Sequence, residues 1–130
     1  MNKTARLFCG LGGILLATAA MLGAFGTHSL EDVLSPDEMD TYQSGVSYHF
    51  YHALGLFAVA FAATQFPASR LPRWSGWLLV AGIFLFSGSI YLITFGAPRG
   101  VVMAAPFGGV SFMAAWVLLA IAAFKSPSSN

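Results

Sequence analysis

Three histidines are the side chains of this 130-residue sequence most suited to chemistry away from its ends. His28 follows the first long apolar run, in "GTHSL". His49 and His52 fall in "YHFYH", residues 48–52, where an acidic stretch gives way to a second apolar run. On a helix Tyr48 and His52 are four residues apart and share a face, while His49 and His52, three apart, occupy neighbouring faces of one turn. Neutral imidazole ligates transition metals and haem, and its titration near neutral pH suits it to proton relay. Ser87, Ser89 and Tyr91 in "SGSIY" add hydroxyls within the third apolar run. Hydroxyls there bond across helices, back to their own backbone, or line a solute path. His28, Tyr48, His52, Ser87 and Tyr91 thus form the candidate polar cluster. His28 and His52 are the weak candidates for a metal or haem. The plainer reading has them bonded to backbone or to each other, tying the outer loop to the bundle.

Other chemistries lack their residues. Cys9 is the single cysteine, so no intrachain disulfide or cysteine-based zinc site can form. No HExxH, CxxC or EF-hand loop occurs, and no Ser-His-Asp spacing, paired catalytic carboxylates or phosphate-binding glycine loop is present. No catalytic residue, enzymatic activity or cofactor is therefore expected.

These residues must be positioned by membrane helices. Hydrophobic residues make up 57% of the chain and charged residues 8%, against about 25% charged in soluble domains. Mean hydropathy is +0.73. A net charge of +1 without a basic patch argues against nucleic acid. The partners to expect are the lipid bilayer and a membrane protein or second copy of the chain.

Four apolar runs, about 7–25, 48–66, 74–95 and 101–124, each approach the length needed for a hydrocarbon core of ~30 Å. Ala17-Thr18-Ala19 resembles a signal-peptide cleavage site. The run continues past it through Met21, Leu22 and Phe25, beyond the ~7–15 apolar residues of a signal peptide, so a retained span is expected. The polar segment 27–47 carries all five acidic residues. Its "SPDE", residues 35–38, reads as a helix start: Ser35 as cap, Pro36 in the first turn and Glu38 closing a capping box. Met39, Tyr42, Val46 and Phe50 then recur at helical spacing. This amphipathic outer helix should lie on the membrane surface or run into the second span with a bend near Gly45. "PASRLPR", residues 67–73, and "GAPRG", residues 96–100, are turns, and 125–130 is a polar tail. The whole chain, 1–130, reads as one all-α membrane domain of four transmembrane helices.

The basic residues imply an orientation. Lys3, Arg6, Arg70, Arg73 and Lys125 fall on the side of the termini, and only Arg99 falls on the other. Five against one places both termini in the cytoplasm of a multi-pass bacterial inner-membrane protein. No charged residue lies inside a span, which weakens ion-coupled mechanisms. Close helix packing is expected at Gly13, Gly23, Gly26, Gly88, Pro106, Gly108 and Gly109. In the first span a small-residue stripe runs Cys9, Gly13, Ala17, Ala20 and Ala24; the fourth has Ala104, Gly108, Ser111, Ala115 and Ala122. Trp74, Trp77 and Trp116 fit interfacial belts. "GILLA" at Gly13 faintly echoes "GIFLF" at Gly82, each followed by a Phe-Gly pair.

Four ordered stretches carry a resemblance: "GAFGTHSL", "YHFYHALGL", "FSGSIYL" and "PFGGVSFMAAW". Together they resemble the small membrane family termed domain of unknown function 423, whose relatives include the transmembrane-protein-256 group. The likeness runs from about Arg6 to Phe124. It implies a four-helix inner-membrane protein and draws attention to Gly23, Gly26, His28, Tyr48, His52, Ser87, Gly88, Ser89, Tyr91, Pro106, Gly108 and Gly109. His49 departs from the pattern, standing where relatives often carry glutamine. The family brings no activity with it. The function expected is therefore a non-enzymatic accessory, assembly or stabilising partner of a membrane complex. The alternatives are a small-solute or proton transporter and a haem- or metal-binding membrane protein using the outer-face histidines.

Overall fold

The computed structural model describes residues 1–128, and among them four helices are long and apolar enough to cross a membrane: Lys3–Leu30, Pro36–Gln65, Leu71–Thr94 and Arg99–Lys125. Each is longer than its apolar run, because the flanking polar residues continue the same helical hydrogen bonds.

The first span is α1 (Lys3–Phe25), continued by a π-helical stretch, Gly26–Leu30. Asn2 caps α1 by accepting from the Ala5 N–H, and its side-chain amide donates to the Ala63 carbonyl at 2.8 Å. That second bond ties the start of α1 to the end of α2 (Pro36–Gln65). Of the two arrangements open to the outer amphipathic helix, the continuous one is found: α2 is a single helix of 30 residues. Its first turn has the capping box, Ser35 accepting from the Glu38 N–H and Glu38 accepting from the Ser35 N–H. No proline follows to break it. Gly45 is accommodated because a side chain there would collide with Ile90, 3.0 Å from an added Cβ.

The third span joins α3 (Leu71–Gly82) and α4 (Gly88–Thr94) through a π-helical turn, Ile83–Ser87, in which the Gly88 N–H reaches back five residues to the Ile83 carbonyl. It ends in a Schellman motif: Ala97 N–H bonds to Leu92 O and Gly96 N–H to Ile93 O. Gly96 takes φ +104°, a conformation that needs glycine. The fourth span opens with a 3₁₀ stretch, Arg99–Ala104, and continues as α5 (Ala105–Lys125). Pro106 sits in the first turn of α5, where no intrahelical donor is lost.

The chain forms two antiparallel hairpins, α1 on α2 and α3–α4 on α5, and α2 is the helix both share. It is accordingly the most buried span, and α1 the least. One face of α2 meets α1 through Tyr42, Val46, His49 and Ala53; the other meets the second hairpin through Gly45, His52 and Gly55.

The small residues of α1 pack on a different face from the one expected. Cys9 is half-buried, but Gly13, Ala17, Ala20 and Ala24 face outward, and a Cβ at Gly13 would meet nothing within 4 Å. Ala5, Phe8, Gly12 and Ala19 are buried instead. Gly12 is where Phe57 and the Ala53 carbonyl approach, at 3.0 and 3.3 Å from an added Cβ. Gly26 lies under the Tyr42 ring, and Gly108 against the Phe86 backbone. Gly23 makes ordinary contact with Val46, Gly109 meets nothing, and Gly88 serves the π turn rather than a close approach. Gly13 and Gly82 are unalike in packing, since Gly82 is buried under Phe112. Trp116 leans on α2, its ring 2.8 Å from an added Gly55 Cβ and 6.0 Å, centroid to centroid, from the His52 ring, while 40% of its surface stays exposed.

Candidate functional site

The polar side chains inside the bundle form two groups. The first joins α1, α2 and α4. His49 is buried on α2, its Nδ1 2.8 Å from the Tyr91 hydroxyl and its Nε2 3.4 Å from Thr18 Oγ1. Thr18 donates to the Leu15 carbonyl at 3.0 Å. One donor order satisfies every member: Tyr91 O–H to Nδ1, Nε2–H to Thr18, and Thr18 O–H to Leu15. Tyr42 extends the group. Its ring lies 5.8 Å from that of Tyr91, and its hydroxyl donates to the Leu22 carbonyl. Tyr42 belongs to the apolar stripe visible in the sequence, and its ring fits because Gly26 opposite has no side chain.

The second group joins α2 and α5. His52 Nδ1 is 2.7 Å from the carbonyl of Tyr48, one turn earlier, so this nitrogen is the donor. The imidazole stacks on Phe112 at 3.5 Å and 8°. Tyr48 is half-exposed and covers Phe86, ring centroids 4.7 Å apart. His52 is thus a flat aromatic plate between α2 and α5, oriented by a backbone carbonyl.

Serines staple the helices. Ser87 donates to Gly45 O at 2.6 Å, joining the π turn to α2. Ser75 of α3 donates to Ala115 O of α5 at 2.7 Å, and Ser111 of α5 answers to Leu78 O of α3 at 2.6 Å. Ser89 turns back to Phe86 O of its own helix. Among the described residues, no buried side-chain nitrogen or oxygen lacks a hydrogen-bond partner.

His28 does not join His49 or His52. It is exposed on the π-helical stretch, ten residues beyond Thr18 and therefore ~15 Å farther along the helix. Among the described residues no three histidine, cysteine or carboxylate side chains gather as a metal-binding group. The candidate cluster read from the sequence omits three members of the first group: His49, Thr18 and Tyr42. Their signal was faint: Thr18 is the one hydroxyl in the first apolar run, and His49 follows Tyr42 by seven residues on the same helical face.

The model of a family described as "Protein of unknown function (DUF423)" matches residues 22–109. The chain is 41% identical over 120 residues to the UPF0382 membrane protein YwdK of Bacillus subtilis, covering 92% of this chain and 98% of that one. It is 36% identical to a UPF0382 membrane protein of Haemophilus influenzae, over 82% of this chain and 85% of that one. It is 34% identical to the UPF0382 inner membrane protein YgdD of Escherichia coli, over 92% of this chain and 88% of that one. No solved structure matches. Its four spans, its composition and these likenesses agree: the chain is an integral membrane protein and belongs to the DUF423 family, whose function is unknown.

Proposed function

We propose that the chain serves as a non-enzymatic accessory, assembly or stabilising partner of a membrane complex. The observation that supports this reading is the closure of the polar groups: the buried donors and acceptors among the described residues are taken up by partners within the chain. A transport path or substrate pocket needs polar groups turned toward a cavity. Here the serines hold helices together, and the Nδ1 of His52 is bonded to a backbone carbonyl. Native mass spectrometry of protein extracted gently from its own membrane tests the reading. A stoichiometric second protein is the expected result. A bare monomer, joined by solute or proton flux in liposomes, would overturn it.

A second reading, proton transfer, rests on one specific feature. His49, Tyr91 and Thr18 make a continuous chain of hydrogen-bonding atoms across three helices. Proton flux into liposomes that disappears in His49→Leu would favour it over the first.

The same proposal places both termini in the cytoplasm and the protein in the bacterial inner membrane, from the five-to-one split of basic residues. A fluorescent reporter that matures only in the cytoplasm should be bright when fused after Asn130. An export-dependent phosphatase at the same position should be inactive, and the opposite pattern would invert the topology.

A further inference from the structure

All five acidic side chains of the protein lie between residues 31 and 40. Arg70 and Arg73 lie at the opposite end of the bundle, after the 30 residues of α2, which place ~45 Å between the two ends. No acidic side chain of this protein can reach them. The nearby ends of the chain add Lys3, Arg6 and Lys125, so the charged side chains on this side are all basic. Arg70 and Arg73 are exposed, and with Trp74 and Trp77 they line a cleft of about 400 Å³.

The aromatic side of the cleft is anchored. Trp77 packs edge-on against Phe8 of α1, ring centroids 5.4 Å apart, and Phe8 is wholly buried against Gly76. Trp74 and Trp77 nevertheless keep 60% and 41% of their surface exposed. Indoles so placed at the end of a span sit at headgroup depth, with an N–H to donate and an apolar body for the start of an acyl chain. The arginines flank the positive end of the 12-residue α3. Guanidinium forks match phosphate oxygens two at a time, which a lysine ammonium cannot do.

We infer that this cleft holds the phosphate headgroup of an anionic phospholipid from the leaflet on the side of the termini. Two guanidiniums beyond the reach of any acidic side chain supply the charge, and two tryptophans set the depth. Positive charge alone would suffice to orient the chain in the membrane; the cleft adds geometry that orientation does not require.

The test is lipid retention in native mass spectrometry, with phosphatidylglycerol, phosphatidylcholine or inorganic phosphate added separately to the purified protein. Phosphatidylglycerol should be retained well above phosphatidylcholine. Arg70→Gln with Arg73→Gln should weaken its binding about thirtyfold, at roughly fivefold per charge. Arg99→Gln, at the other end, should leave it unchanged. Arg70→Lys with Arg73→Lys keeps the orientation signal and removes the forks, so it should bind more weakly than the parent while folding normally. Equal retention of the two lipids would overturn the inference, as would a lysine pair that binds like the parent. Inorganic phosphate held as well as the lipid would reassign the cleft to a soluble anion and overturn the lipid assignment.

Discussion

Gly108→Leu is expected to cost about 3 kcal/mol and to part the third and fourth spans, the upper end of what overpacking a tight contact does. A Cβ at Gly108 would stand 2.5 Å from the Phe86 backbone nitrogen, 2.8 Å from the Phe86 Cβ and 3.0 Å from the Gly82 carbonyl. Two of these are backbone atoms, which cannot rotate aside as a side chain would. Relief requires the helices to separate. Separation then strains the reciprocal staples Ser75 to Ala115 and Ser111 to Leu78, now 2.7 and 2.6 Å. Interhelical bonds of this kind contribute about 0.6–1.7 kcal/mol each in membranes. Gly109→Leu is the control, because a Cβ there meets nothing within 4 Å. Reversible unfolding in mixed micelles, followed by tryptophan fluorescence, should show a large drop for the first variant and little change for the second. Equal midpoints would refute the close-packing account.

His49→Leu is expected to destabilise the protein by about 1–3 kcal/mol, the cost of stranding buried polar partners. The Tyr91 hydroxyl would lose its 2.8 Å acceptor, and Thr18 its donor from across the helix interface. Leucine is close to the right size, so the loss measures hydrogen bonding more than volume. His49→Gln should recover much of the stability, since an amide both donates and accepts. A double variant, His49→Leu with Tyr91→Phe, should be less destabilised than the sum of its parts, because no stranded hydroxyl is left on Tyr91. Strict additivity in the unfolding midpoints would show that the two side chains are not coupled.

The sequence by itself determined the four spans, the turns between them, the capping box at Ser35 and Glu38, and the resemblance to the family. These are local matters. Hydropathy is a sum over one segment, and a cap involves residues three apart. The tertiary structure alone decided which face of each helix turns inward. The first span offers two rows of small residues, one through Gly13, Ala17 and Ala24 and one through Ala5, Gly12, Ala19 and Gly26. Both read equally well as packing surfaces in one dimension. The second row, spaced by sevens, is buried because α2 presents Phe57 and Tyr42 opposite Gly12 and Gly26, and the Tyr42 ring fits only where a Cβ is missing. The same choice of rotation sets His49 against Thr18 and Tyr91, stacks His52 on Phe112 and leaves His28 outside. The π-helical turn Ile83–Ser87 was equally illegible. An extra residue in one helical turn leaves no mark on hydropathy, yet here it belongs to the segment that carries Ser87 to Gly45 and Phe86 over Gly108. Shape complementarity between helices far apart in sequence is a property of pairs, and no single segment contains it.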